Sequence, residues 1–256
     1  MATSTGIVLQ VAPALRGSVG LSEHLEVVND GVRLVAEEWP GSGGGRQHIV
    51  HARPGVLNVT YQATTTLGSQ PAAELVTVAE RVEALRPSRY CASDRLTGFA
   101  RGHFELPGAA TRVRAICDYV WSHTVYTPGA SGPTSDAVDT LVSGLGVCRD
   151  FAHLVAALCR AVEVPARVAA VYAPGLWAMD LHAVVETEID GVWRVWDPTR
   201  LAPRASMVRI ATGRDAADVA FATLLHGQAA LTNLFVQAIA ADDLPPDDHE
   251  SLAVLR

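Results

Sequence analysis

The dipeptide Asp190-Gly191 lies between two runs of largely apolar residues, His182–Ile189 and Val192–Asp197. A two-residue turn of this chemistry takes positive φ at both positions and matches the twist of an antiparallel strand pair. It fixes the register of the hairpin as well as its existence. Ile189 faces Val192, Val184 faces Asp197 and His182 faces Thr199. Side chains alternate with period two, so His182 and Asp197 share one face as diagonal neighbours, roughly 7 Å apart. A slip of one residue would send them to opposite faces. The turn therefore predicts an imidazole and a carboxylate within reach of a hydrogen bond.

Upstream, Phe151, Leu154, Val155, Leu158 and Val162 recur at helical spacing and predict a helix over 148–163, stopped by Pro165. Gly144-Leu145-Gly146 leads into it and Cys148 opens it. Unpaired N–H groups and the positive end of the helix dipole stabilise a thiolate there. The Cys148 N–H is also a candidate oxyanion donor. A cysteine on the inward stripe with Phe151 could instead be core packing. What favours chemistry is the hairpin, because a cysteine nucleophile, a histidine base and a carboxylate that fixes its tautomer make an acyl-transfer triad.

The rest of the chain predicts an α+β protein. Ile7–Val11, His24–Val28, Val32–Glu38, Gln47–Ala52 and Asn58–Leu67 read as strands of an N-terminal antiparallel β domain over residues 1–105. A catalytic core follows over 106–256, with helices packed on an antiparallel sheet. Val113, Ile116, Cys117, Val120 and Trp121 mark one helix, and Asp136–Val142 a short second one. Further strands are expected at Arg167–Tyr172, Met207–Ala211 and Ala229–Ile239. The acidic, proline-containing tail after Ala241 reads as frayed.

Other side chains near the three in sequence have plain structural readings. His153, five residues after Cys148, lies about 140° round the helix and reads as structural rather than as the base. Arg149 and Asp150 fall in the first helical turn, where an acid complements the dipole. Cys117 and Cys159 read as core, while Cys91 is undecided. Trp121, Tyr126, Trp177 and Asp180 are candidates to line a substrate cleft. His48 and His51 point to opposite faces of a strand, so no metal site is expected there.

Composition narrows the function further. The net charge is −7 and every basic residue is arginine, with no lysine in the chain. No basic stripe exists for phosphate neutralisation, so no nucleic-acid partner is expected. A lysine Schiff base and a P-loop lysine are excluded. No glycine-rich nucleotide motif follows a strand, and no cofactor is implied. Four cysteines without regular spacing do not make a disulfide framework. The first residues lack a signal-peptide pattern and no run is apolar and long enough for a membrane span, so a cytoplasmic protein without a membrane partner is expected.

Gly146-Val147-Cys148-Arg149-Asp150-Phe151-Ala152-His153-Leu154, Val164-Pro165-Ala166-Arg167, Asp180-Leu181-His182-Ala183-Val184-Val185-Glu186 and Trp196-Asp197-Pro198-Thr199 resemble, in this order, the motifs of the bacterial transglutaminase-like superfamily. Gly213 to Val219 is similar to that family's C-terminal segment, and the β region before the core to its N-terminal domain. The resemblance implies a papain-like core with Cys148 as nucleophile, His182 as general base and acid, and Asp197 as orienter. It implies a cofactor-independent enzyme acting on a peptide, protein or small amide, by hydrolysis in preference to amine-accepting transamidation (cross-linking or deamidation). A non-catalytic interaction scaffold and transfer from a thioester donor such as acyl-CoA are the rival readings. Many members carry Trp two residues after the histidine, where this chain has Val184.

Overall fold

The computed structural model describes residues 5–15, 18–67 and 74–255. Six strands open the chain: β1 (Thr5–Leu9), β2 (Ser18–Asn29), β3 (Val32–Arg33), β4 (Glu37–Pro40), β5 (Arg46–Ala52) and β6 (Leu57–Leu67). Helices α1 (Val78–Ala84), α2 (Ser93–Phe104) and α3 (Ala109–His123) follow, then β7 (Val125–Tyr126), α4 (Ala137–Ser143), β8 (Leu145–Gly146) and α5 (Cys148–Ala161). The last elements are β9 (Ala166–Tyr172), β10 (His182–Ile189), β11 (Val192–Trp196), β12 (Val208–Gly213), α6 (Ala216–Val219) and β13 (Ala222–Leu224).

Two sheets form the front layer, ordered β13-β1-β5-β4 and β3-β2-β6. They bury Ile7, Leu9, Val27, Val50 and Ala52. The expected run Val32–Glu38 is two short strands, because β3 continues the β2 hairpin while β4 pairs with β5 in the other sheet. His48 is buried and His51 exposed, as the two-residue period requires.

The second layer is the antiparallel sheet β11-β10-β9-β12 with α5 laid across it. From Asp150 to Ala161 every residue of α5 is buried, so it is a central helix and not an amphipathic surface one. It ends where Glu163 takes a left-handed conformation (φ 62°) ahead of Pro165. Buried Arg160 in its last turn donates to the carbonyls of Ala166, Arg86 and Arg214.

Three expectations are corrected. The stretch before residue 105 is not β to its end. Glu80 and Thr77 cap α1 reciprocally, and α2 buries Leu96, Ala100 and Phe104 in the same cluster as α5. Packing therefore joins α2 to the helical core and not to the front sheets. Ala229–Ile239 is not a strand. Only Ala222–Leu224 pairs, with β1, and the chain then leaves the sheet edge with no strand beside it. The acidic tail is not frayed. Asp247 accepts from the Arg204 backbone N–H (2.7 Å) and from its buried guanidinium, and Ala253 bridges Val195. Leu255 is buried beside them.

Candidate active site

The hairpin forms in the register its turn dictates, Ile189 opposite Val192 through Val185 opposite Trp196. Asp190 and Gly191 carry the two positive φ values, 53° and 75°. The consequence is that His182 Nε2 and Asp197 Oδ2 lie 3.1 Å apart, both side chains fully buried. Thr199 holds the other carboxylate oxygen, with its N–H at 3.0 Å and its hydroxyl at 2.7 Å.

Burial opposes a charge on His182, but the Asp197 carboxylate and, after it, the Cys148 sulfur outweigh burial and push the imidazole up to about 10. Burial likewise favours the neutral form of Asp197, yet the His182 charge and the two Thr199 donors hold its carboxyl below the usual range. The Asp197 carboxylate thus favours the protonated ring and fixes it through Nε2. That leaves Nδ1, buried and without a conventional partner, as the nitrogen available to the sulfur.

Cys148 is the first residue of α5 and is half-buried. Its Sγ lies 4.0 Å from the Leu181 carbonyl, next to His182 in the chain. Helix N–H groups at this position have no intrahelical partner. The cap of α5 comes from Asp150, fully buried, whose Oδ2 accepts from the Val147 N–H at 2.8 Å and from the Ser131 hydroxyl. Arg149 reaches the same carboxylate and the Gly132 carbonyl, tying the loop 128–135 to the start of the helix. Gly146 is required here, since a Cβ would stand 2.6 Å from Asp150 Cβ.

The four cleft candidates separate. Tyr126 is partly exposed, and burial, followed by the charge of Cys148, pushes its phenol up to about 12. Trp121 is half exposed, with the Arg200 guanidinium 4.2 Å over its ring. Trp177 is 94% exposed in the loop that precedes His182. Asp180 is exposed and accepts from the Leu181 N–H at 2.7 Å. Val184, where many members of the family carry Trp, is fully buried on the His182 face of β10, in one cluster with Val195 and Met207.

His153 is structural. Its Nε2 accepts from the Ala216 N–H at 3.0 Å, its ring stacks on Tyr90, and burial lowers it to about 4. Cys91, left open by the sequence, is buried, as are Cys117 and Cys159. Sequence reasoning missed Ser131, which carries no motif signal, and Arg200, whose stacking on Trp121 joins residues far apart in the chain. Among the described residues no group of His, Cys, Asp and Glu side chains could hold a metal ion, and no helix is long and apolar enough to cross a membrane.

Comparison with known proteins gives a consistent picture. A sequence model of the transglutaminase-like superfamily matches residues 99–198. A solved structure from Cytophaga hutchinsonii, named a "putative cysteine protease", is 31% identical, with 94% of this chain and 90% of that one covered at a TM-score of 0.75. The uncharacterized protein ML0607 of Mycobacterium leprae is 28% identical over 151 residues. That match takes in 54% of this chain and 53% of the relative, so the shared stretch spans about half of the relative's length. The periplasmic domain of TgpA from Pseudomonas aeruginosa is 18% identical, with 78% of this chain and 88% of that one covered at a TM-score of 0.45.

Proposed function

The chain belongs to the transglutaminase-like superfamily, and from that membership we propose that it performs cysteine-dependent acyl transfer, hydrolysing a peptide or amide bond through a thioester on Cys148. The observation that carries this reading is the buried His182–Asp197 pair at 3.1 Å whose imidazole is also raised by the Cys148 sulfur. Residues from a helix start and two strands converge there, an arrangement that packing alone does not require.

The Cys148 thiolate attacks the substrate carbonyl and the carbonyl electron pair moves onto oxygen. The Cys148 N–H, free of an intrahelical partner at the start of α5, donates to that oxyanion. Collapse breaks the C–N bond as the His182 cation gives its proton to the leaving amine, and a thioester remains. Neutral His182 then takes a proton from water, the hydroxide attacks the thioester, and the acid leaves as the sulfur is restored. Asp197 keeps the ring in one orientation and balances its charge throughout. A sulfur that is only half-buried supports water as the acceptor, since transamidation calls for a site that keeps water out. Four free thiols support a reducing compartment, in keeping with a cytoplasmic location.

Iodoacetamide labelling followed by peptide mapping tests the reading. Burial pushes the Cys91 thiol up to about 12 and also raises Cys117 and Cys159, so in the native protein at pH 7 one label is expected, on Cys148. Cys148→Ala should lose both the label and all turnover of a fluorogenic amide library. Turnover that survives in Cys148→Ala overturns the proposal.

A further inference from the structure

Between Val219 and Ala241 the chain carries no Arg, Asp or Glu, in a protein of net charge −7, and charged residues stand on either side of the run at Asp218 and Asp242. Such a run is ordinarily a buried helix or strand. Here it is neither. After β13 it crosses the surface without regular structure. It is anchored near its start, where His226 Nε2 accepts from the Gly6 N–H at 3.3 Å, and beyond its end, where Asp247 pairs with Arg204. Between these anchors it passes the loop before the histidine: the Ala238 N–H donates to Met179 Sδ at 3.2 Å, and Leu244 packs against Gly175.

The exposed side chains between Leu224 and Ala241 are uncharged, and the large ones on this strap and on the loop are apolar. Trp177 is 94% and Phe235 81% exposed, and Leu231, Leu234, Ile239 and Met179 are exposed with them. Large apolar side chains exposed in this number on one strap and the loop it crosses mark a contact site. Its location says for what. Met179 is three residues from His182, and Leu181 in between sets its carbonyl 4.0 Å from the Cys148 sulfur. The loop that the strap crosses at Met179 therefore leads within three residues to the reacting pair. Its borders are acidic, with Asp180 on the loop and Asp242 and Asp243 on the strap, all exposed.

We propose that the strap and the Trp177 loop form the docking surface for an apolar, acid-free segment of a polypeptide substrate, laid beside the bond that Cys148 attacks. This rests on the hydrolytic reading above and names its substrate class. Carboxylates at the border repel an acidic segment, and an uncharged floor offers an acidic or basic side chain no partner for the hydration it would lose. Apolar side chains lose water against Trp177 and Phe235 with nothing left unpaired.

The test uses internally quenched peptides of one length, in which a Leu/Phe-rich segment is replaced stepwise by Ser or by Asp, together with p-nitrophenyl acetate, which is too small to reach the strap. The apolar peptide should show kcat/KM at least about ten-fold above its Asp counterpart, the scale at which apolar pockets discriminate. Phe235→Asp should collapse that ratio through KM, and Phe235→Leu should restore it. The position is exposed, and an unchanged Tm for both variants excludes misfolding as the cause. Ester turnover with no preference among the peptides overturns this inference and leaves the hydrolytic reading standing. Absence of ester turnover and of Cys148 labelling in the wild type overturns the hydrolytic reading itself. Sedimentation showing that the strap is covered by a second copy at assay concentration, with Phe235→Asp giving monomers and an unchanged peptide ratio, also overturns the inference.

Discussion

Replacing Asp197 by Asn isolates the electrostatic bond on which the proposed chemistry turns. In the folded protein His182 is raised from 6.5 to about 10, against a burial cost that acts the other way. A group whose pKa is raised on folding stabilises the native state fully below its unfolded value, and that stabilisation is lost as pH climbs toward the folded value. The window therefore opens near pH 6.5 and closes near 10. Within it the unfolding free energy falls by about 1.4 kcal/mol per pH unit, or about 2 kcal/mol between pH 7 and 8.5. The buried thiols, raised by burial, begin to ionise in the unfolded chain toward pH 8.5 and add the same slope to both proteins, so the difference between the two slopes is what is read. The comparison belongs in a Cys148→Ala background, so that the sulfur contributes no protons of its own. Urea unfolding followed by tryptophan fluorescence should give a decline of up to that size for Cys148→Ala, because Asp197 raises His182 more than the sulfur does and stays in place. In Cys148→Ala/Asp197→Asn burial acts with the carboxylate gone, the ring is neutral throughout, and only the shallow slope of the buried thiols should remain. Equal slopes in the two proteins would refute the claim that Asp197 holds the proton on His182.

Two further outcomes follow from the surroundings of the site. Asp150→Ala removes the cap on the Val147 N–H and the anchor of Ser131 and Arg149. It should cost about 1–3 kcal/mol in urea unfolding and lower kcat more than it raises KM, because the start of α5 that carries Cys148 is no longer held. Asp247→Ala leaves the buried Arg204 guanidinium without its main carboxylate. It should destabilise by roughly 3–5 kcal/mol and release the tail, measured as new proteolytic cleavage between residues 240 and 255.

The difference between what the sequence discloses and what it hides is one of distance along the chain. The Asp190-Gly191 turn reports the His182–Asp197 face because turn sterics and the two-residue period act over neighbouring residues. The start of α5 is legible for the same reason, its glycine lead-in, stripe and Asp150 cap all lying within a few positions. Helix α1 was within reach too, since Thr77 and Glu80 have the spacing of a capping box. Helix α2 was masked by Gly98 and Gly102, which weigh against a helix locally, and it forms because Leu96, Ala100 and Phe104 find the core of α5 more than forty residues away. The tail shows the same rule in reverse. Asp247 reads as solvated acid in its own neighbourhood and becomes the partner of a buried arginine only through the fold. The meeting of Cys148 with the hairpin stands between these cases: each half is local, and their junction spans 34 positions that no short-range rule covers. That junction came from the family resemblance, and the structure supplies its physical cause in α5 lying across β10, with the Leu181 carbonyl brought to the sulfur.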